Sequence, residues 1–377
     1  MVQPGKMALR KAQSRIQQLC CMGLGDQIAI PAILRELHDY VPSHANCFFW
    51  SDPEGNVRDI YDERPQAPDW LPTYLAEFHN RLDLEVFCGW QNFLRHGTKA
   101  VDYDSLLKVD RREYDRHAYY NEMMSQLDFY WGLFMVVRDQ KQPLGAVALH
   151  RAPKDPRFNA DEALRLDQIM PFIAHAFTTP CDPEHQWIDS DDQGLIVTDL
   201  RGNIVSASAG GQRLLTMASS DRPWAPVKRG VPPNPPDLLR LLGQRLANVR
   251  RGTPDSFAPS GAIQNAWGRF VFRADWLYPH NDAGETIAIS IRRQEPMPLK
   301  LIRHIKHLPL SSKQAEVCLL MATGQSYNQI AEQQSMKRST AISHAREIYA
   351  RLDVHNREQL VAKLLTPHVM VQGEHRF

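Results

Sequence analysis

The side chains whose types and spacing could do chemistry are concentrated near the C-terminal end, in a stretch of helical periodicity. Ser339, Ile342, Ser343 and Arg346 recur at i, i+3, i+4 and i+7, so they share one helix face. Small polar side chains permit close approach, and an arginine can bind a guanine edge or a phosphate. This layout is typical of a helix that enters the major groove of DNA. The predicted DNA-contacting residues are Lys337, Arg338, Ser339, Thr340, Ile342, Ser343 and Arg346.

The same helix carries a second, apolar stripe. Ala341, Ala345, Ile348 and Leu352 fall at i, i+4, i+7 and i+11, which predicts that they face a core. Three more helices are predicted around it from capping-box spacing, in which a Ser or Asn precedes a Gln by three residues. The three pairs are Ser311 with Gln314, Ser326 with Gln329, and Asn356 with Gln359. We therefore expect an all-α four-helix domain at 300–377.

Two further features of this domain concern its turns and its partners. Gly324 suits the position just after the first helix, where a left-handed backbone conformation is common. Because DNA sites with paired half-sites bind dimers, a homodimer is expected. The last helix carries its apolar residues on one face, and these form a candidate dimer contact: Leu360, Val361, Leu364 and Leu365.

The segment Leu310–Val361 resembles the LuxR-type helix-turn-helix of bacterial transcription factors. The resemblance implies binding to double-stranded DNA. Three positions depart from the family pattern, since a small N-capping residue, Leu and Lys are usual where this chain has Lys337, Gln334 and Ile342. Ile342 removes a positive charge from the reading face, so no operator sequence is carried over from relatives. The matching positions are Leu310, Glu316, Val317, Gly324, Ser326, Ile330, Ala331, Thr340, His344, Ile348, Tyr349, Leu352, Val354, Arg357 and Val361.

The charge of the chain is divided unevenly. From residue 299 onward, 11 Lys and Arg oppose 6 Asp and Glu, a net charge of +5. The rest of the chain holds 33 basic and 37 acidic residues, a net charge of −4. A basic C-terminal segment on an acidic body is suited to contact with a polyanion.

Residues 10–178 are predicted to form a domain with an antiparallel sheet. Strand-like runs flank turn signals at 46–63 and again at 129–152, which predicts two hairpins. Helical periodicity covers 69–87, between the hairpins, and 160–177, after them. In the order of these elements the segment resembles a GAF-type sensory domain. The resemblance implies a curved sheet that forms one wall of a ligand cavity or a dimer surface.

Residues 185–293 are predicted to form a second, smaller domain of the same kind. A strand, a turn and a strand are expected at 194–208, and two antiparallel strands at 267–293. The proline-rich stretch 221–237 is predicted to be a loop, and 292–300 to be a linker. The segment resembles a PAS-like domain, for which a role in dimerisation is favoured over ligand binding.

The first domain is unusually rich in aromatic residues, which indicates either a ligand pocket or an ordinary aromatic core. Trp70, Tyr74 and Asp83 have the relative spacing seen in acyl-homoserine-lactone receptors of the broader LuxR group, but Thr98 stands where those receptors have a further Trp. The aromatic set is Trp50, Trp70, Tyr74, Phe78, Trp90, Tyr103, Tyr119, Tyr120, Trp131 and Phe134. The candidate ligand-binding residues are Trp50, Trp70, Tyr74, Asp83, Trp90, Tyr103 and Trp131.

Several classes of function lack their motifs. The sequence contains no GxGxxG, GxxxxGK[ST], GxSxG or HExxH motif, so no enzymatic activity is expected. The six cysteines form no CxxC pair, which indicates reduced thiols, no metal site and no cofactor. The sequence contains no run of 18 apolar residues, so no membrane span is predicted and a cytoplasmic location is expected.

The sequence thus predicts a multidomain α+β protein: two sensory domains with antiparallel sheets, then an all-α helix-turn-helix domain. The predicted function is that of a bacterial transcriptional regulator, in which a small-molecule effector bound by the first domain controls promoter binding. RNA polymerase is a further candidate partner. Two alternatives stay open: an acyl-homoserine-lactone quorum-sensing receptor, and a ligand-independent DNA-binding or adaptor protein.

Overall fold

The computed structural model describes residues 4–63, 73–140, 142–178, 186–219, 237–253, 257–265, 267–278 and 285–366. The chain divides into two compact units. Met1–Glu184 and Asp192–Gln294 form the first, and His185–Asp191 and Glu295–Phe377 form the second. Two antiparallel five-stranded sheets precede an all-helical segment, which confirms the predicted α+β class. No helix among the described residues is long and apolar enough to cross a membrane.

The first sheet contains both predicted hairpins, one at each end of the domain's sequence. Its strand order is β2-β1-β5-β4-β3, and every neighbouring pair is antiparallel. The first six residues of β1 are all buried, because both faces of the sheet are covered. The strands are β1 (Ala45–Ser51), β2 (Val57–Asp62), β3 (Val101–Asp102), β4 (Trp131–Arg138) and β5 (Pro143–Arg151).

One face of this sheet is covered by helices α1 (Lys6–Cys20), α2 (Asp26–Tyr40) and α4 (Ala160–Thr178), which contact one another. The shorter α3 (Trp90–His96) lies between β2 and β3 in sequence and packs in the aromatic core. The helix predicted at 160–177 is confirmed as α4. The buried pair Arg151–Glu162, with an Nη2–Oε1 distance of 2.7 Å, joins β5 to the start of α4.

The helix predicted at 69–87 differs from expectation. Residues 73–86 are helical, but the backbone is interrupted at His79, with ψ of 123°, and at Asn80, with φ of 56°. Asn80 is one of the residue types that tolerate the left-handed region, which explains why the break falls there. Residues 69–72 lie outside the described residues. Two short helical pieces therefore replace one continuous helix.

The second sheet repeats the strand order of the first, β7-β6-β10-β9-β8. The predicted hairpins are confirmed, whereas β8 and the start of β6 at Trp187 were not predicted. Helices α5 (Ala209–Ala218) and α6 (Asp237–Arg250) cover one face. Most of the proline-rich stretch 221–237 lies outside the described residues. The strands are β6 (Trp187–Thr198), β7 (Ile204–Ala207), β8 (Ser260–Asn265), β9 (Gly268–Leu277) and β10 (Thr286–Pro296).

The C-terminal segment forms the four predicted helices and one more. The additional helix α7 begins inside the predicted linker and packs on the first and last of the four. Its Lys300 ammonium group donates to the carbonyl oxygen of Asp189 at 2.8 Å, within the same unit. The helices are α7 (Met297–Ile305), α8 (Ser312–Ala322), α9 (Tyr327–Gln333), α10 (Arg338–Leu352) and α11 (Arg357–Leu365).

The predicted caps begin these helices, with one difference. Both Ser311 and Ser326 form complete capping boxes with the Gln three residues later. Asn356 accepts from the backbone N–H of Gln359, but the Gln359 side chain accepts from the backbone N–H of His355 instead of closing the box. The third helix start is therefore capped without the predicted reciprocal bond.

Candidate DNA-contact face and effector cavity

Helix α10 presents two faces of opposite character. The predicted apolar stripe is confirmed as core, since Ala341, Ala345, Ile348 and Leu352 are between 0% and 4% exposed. On the other face, Ile342 is half-buried, and six side chains are exposed. The exposed residues are Lys337, Arg338, Ser339, Thr340, Ser343 and Arg346. The seven residues predicted to contact DNA therefore form one continuous surface over the first two turns of α10.

The basic side chains of this surface are free. Lys337 precedes α10 in an extended conformation, and its ammonium group, which has no acceptor, does not cap the helix. Among the described residues, the side chains of Lys337, Arg338 and Arg346 have no hydrogen-bond or ion-pair partner. Unpaired cations on an exposed helix start can neutralise phosphates without breaking contacts within the protein.

The orientation of α10 is fixed from behind by α8. The Gln314 side chain donates to the Glu347 carboxylate at 2.7 Å and accepts from Arg351 at 3.0 Å. Arg351 also donates to the carbonyl oxygen of Pro309 at 3.0 Å. Glu347 and Arg351, which make these contacts, follow the exposed residues toward the C-terminal end of α10. They leave that face available while they hold the helix in place.

The turn between α9 and α10 places the exposed face at the end of a short connection. Ser335 has φ of 48°, in the left-handed region. Its N–H donates to the carbonyl oxygen of Glu332 at 3.1 Å, and the N–H of Met336 donates to that of Ala331 at 2.9 Å. These two bonds are the Schellman arrangement that ends a helix. Gly324 ends α8 in the same way, which confirms its predicted position.

The four candidate dimer residues on α11 differ in how far they are buried. Leu360 and Leu364 are 0% and 1% exposed, because they pack in the core of their own unit. The prediction that they contact a second subunit is therefore corrected. Val361 and Leu365 are half-buried and retain some accessible surface.

The aromatic core of the first domain surrounds a cavity of about 30 Å³. Cys47 and Phe49 of β1 line it from the sheet, and the facing wall comes from the helical pieces that follow residue 73. Its described lining contains no Lys, Arg, Asp or Glu. Three of the predicted ligand residues are among the lining residues: Tyr74, Trp90 and Tyr103.

The other predicted ligand residues lie elsewhere. Trp50 is buried on the opposite face of β1, where its Nε1 donates to Asp26 at 2.7 Å. Trp131 lies in a separate cluster, between the guanidinium groups of Arg111 and Arg157 at 5.1 and 4.3 Å from its ring centroid. Trp70 lies outside the described residues. Asp83 is buried near the cavity but does not line it.

Three buried polar groups near this cavity differ in their bonding. The Tyr74 hydroxyl accepts from Trp90 Nε1 at 2.7 Å. The Tyr103 hydroxyl and Asp83 Oδ2 have no hydrogen-bond partner among the described residues. Burial raises the pKa of Asp83 to about 6, although backbone N–H groups lower it in part, and raises the pKa of Tyr103 well above its usual value. Tyr103 is therefore a protonated donor that faces the cavity.

Several lining residues were not identified from the sequence. His150 stacks on Phe129 with 3.7 Å between ring centroids, and Met123 and Met124 fill the far side. The period-2 alternation of β1 could have separated Phe49, which lines the cavity, from Trp50, which does not. His150 and the methionines carry no comparable signal, because they come together only when β5 and the helical pieces pack.

The short turn, the buried stripe and the exposed basic face of α10 define the helix-turn-helix class of DNA-binding domains. Residues 308–364 match the family model described as bacterial regulatory proteins, luxR family. The C-terminal segment is thus a LuxR-family DNA-binding domain, as the sequence resemblance predicted.

No curated protein matches the chain. Similar solved structures include a phycoerythrobilin-bound GAF domain from a cyanobacterial phytochrome, with 14% identity, a TM-score of 0.29, and coverage of 46% of this chain and 92% of that one. A Vibrio cholerae VqmA–ligand–DNA complex has 13% identity, a TM-score of 0.22, and coverage of 47% and 84%.

Proposed function

We propose that this protein is a transcriptional regulator whose C-terminal domain inserts α10 into the major groove of promoter DNA. The observation that carries the proposal is the free, exposed set of Lys337, Arg338 and Arg346 on a helix whose other face is core. Arg346 is two turns into α10, where a side chain reaches base edges. Ser339, Ile342 and Ser343 lie on the same face nearer the helix start and would also meet base edges, while Lys337 and Arg338 would neutralise phosphates.

Replacement of Arg346 by Ala tests the reading role. Because the side chain is exposed and unpaired, the substitution leaves folding stability unchanged. If Arg346 contacts a base, specific binding weakens by about 1–3 kcal/mol and selectivity relaxes at one position of the site. Fluorescence anisotropy on selected and random duplexes measures both effects. Equal affinity and equal selectivity for both proteins exclude Arg346 from the reading residues.

We further propose that the first domain binds a small effector at the aromatic cavity. The support is an uncharged lining to which Tyr103 contributes a buried hydroxyl without a hydrogen-bond partner among the described residues. At about 30 Å³ the cavity is far smaller than the several hundred Å³ usual for ligand sites, so the effector must displace side chains. Met123 and Met124 suit this role, because unbranched thioethers repack readily.

A thermal-shift screen of small uncharged aromatic compounds and of acyl-homoserine lactones tests this site. A ligand that binds only the folded state raises the melting temperature, and the rise grows with the logarithm of the free ligand concentration above its Kd. The effector is expected to stabilise wild type more than Tyr103→Phe, which lacks the donor. A response to the lactones alone would favour the quorum-sensing alternative. Equal shifts in both proteins would place the effector elsewhere.

Dimerisation and regulation by the effector complete the proposal. A homodimer fits paired half-sites, and RNA polymerase is the partner through which a bound regulator would act. The domain limits 10–178, 185–293 and 300–377 are part of the same proposal. The salt dependence of binding distinguishes a DNA-binding regulator from the adaptor alternative. Affinity for DNA falls steeply as the salt concentration rises, because counterion release becomes less favourable.

A further inference from the structure

A cleft of about 280 Å³ opens in the C-terminal unit beside the N-terminal end of α10. Two guanidinium groups line it, those of Arg338 and Arg357, and its described lining contains no Asp or Glu. Tyr327, Asn328 and Tyr349 contribute hydrogen-bonding side chains. The cleft is therefore a positively charged concavity without a compensating carboxylate.

Arg357 is the residue of this cleft whose bonding is incomplete. It is the first residue of α11, and its Nη2 atom is buried without a hydrogen-bond partner among the described residues. A Cβ built on Gly324 would lie 3.6 Å from that atom, so the turn after α8 approaches the guanidinium closely. A buried N–H without an acceptor costs free energy. An oxyanion in the cleft would supply the acceptor.

The chemistry of the lining favours a phosphate over other ligands. A guanidinium group presents parallel N–H donors that match two phosphate oxygens, and two such groups share the charge. Burial raises the pKa of Tyr349, so its hydroxyl stays protonated and can donate as well. A cation would find no carboxylate here. An uncharged ligand would leave both arginines uncompensated.

The cleft is continuous with the proposed DNA face. Arg338 is the first residue of α10, and the DNA-contacting residues Ser339 and Thr340 follow it directly. When the second helix of a helix-turn-helix lies in the major groove, the first helix crosses the DNA backbone. We infer that this cleft holds one backbone phosphate of the DNA through Arg357 and Arg338. Arg357 thereby adds affinity without selecting sequence, an inference that rests on the proposed function.

The salt dependence of DNA binding by the full-length protein tests this assignment. Loss of one phosphate contact reduces the slope of log affinity against log salt by about one, equally on specific and random DNA. Arg357→Gln and Arg338→Gln are each expected to show this change, and Arg357→Lys, which keeps the charge, to retain most of the slope. Arg112→Gln is the matched control, because Arg112 is an exposed arginine in the other unit. Thermal melting confirms that each variant is folded.

The outcomes separate the sources of phosphate and the two proposals. The DNA backbone is supported as the source of the phosphate by two results together. The salt slope is reduced for Arg357→Gln, and wild type binds DNA equally well in inorganic phosphate and in chloride of the same ionic strength. A second outcome overturns the DNA backbone as the source. In this outcome inorganic phosphate protects wild type but not Arg357→Gln from thermal unfolding, and the slope of log affinity against log salt is the same for both proteins. An unchanged slope in a wild-type protein that binds DNA overturns the cleft alone. A wild-type protein without salt-dependent binding overturns the proposed function.

Discussion

At the scale of single residues, Tyr103 and Tyr74 of the aromatic cavity are expected to respond oppositely to loss of their hydroxyls. The Tyr103 hydroxyl has no hydrogen-bond partner among the described residues, so Tyr103→Phe removes an unsatisfied buried group and raises the free energy of unfolding by about 1 kcal/mol. The Tyr74 hydroxyl accepts from Trp90 Nε1, so Tyr74→Phe leaves that indole N–H unpaired. This substitution lowers the free energy of unfolding by about 1–3 kcal/mol. Urea unfolding measures both. A destabilised Tyr103→Phe protein would show that the hydroxyl is satisfied.

Asp83 gives the first domain a pH dependence of defined sign. Its folded pKa, raised by burial to about 6, lies above the unfolded value of about 3.9, so the folded state binds the extra proton. The stabilising contribution is complete below pH 4, is lost as pH rises through 6, and is constant above that. The difference in unfolding free energy between wild type and Asp83→Asn should therefore fall by about 2 kcal/mol between pH 4 and pH 7. A difference that does not change with pH contradicts the raised pKa.

At the scale of elements, the connection between α9 and α10 uses a residue that the sequence does not mark as a turn. Ser335 adopts φ of 48°, where glycine has no Cβ penalty. Ser335→Gly should raise the free energy of unfolding by about 1 kcal/mol, measured by urea titration. Gly324→Ala is the opposite-sign control, because at φ of 105° an L side chain is strained and stability should fall by about 1 kcal/mol or more. Destabilisation by Ser335→Gly would contradict the assigned conformation.

The helices of the C-terminal domain were predictable because their signals are local. The stripe of Ala341 to Leu352 and the boxes at Ser311 and Ser326 each lie within a few residues of sequence, and all three are confirmed. The sequence does not predict which apolar residues of α11 are buried and which stay accessible. Periodicity shows that they share a face, but not which of them the neighbouring helix α7 covers. Leu360 was for that reason placed in a dimer contact when it belongs to the core.

The aromatic cavity was only partly predictable, since its walls come from distant parts of the chain. Tyr74, Trp90 and Tyr103 were found through aromatic enrichment, which does not distinguish the two faces of a sheet. Trp50 and Trp131 share that enrichment, but their strands point them elsewhere. The break at Asn80 is not predictable, because Asn tolerates the left-handed region without requiring it and helical periodicity continues across the break.

At the scale of the whole molecule, the uneven distribution of charge along the chain bears on DNA binding. The net charge of +5 beyond residue 298 falls on the segment that contains the LuxR-family domain, while the remaining chain is net negative. Such a field attracts DNA to one end of the chain and raises the rate of encounter at low salt. The acidic remainder, with a net charge of −4, does not add to this attraction.

Capture of genomic DNA fragments by the full-length protein, at low and high salt and beside Arg346→Ala, tests the central claim most directly. The proposed regulator retains a discrete set of fragments at low salt, releases them as salt rises, and loses the discrete set when Arg346 is replaced. Retention of no DNA by the wild-type protein, even at low salt, would contradict the assignment as a DNA-binding regulator.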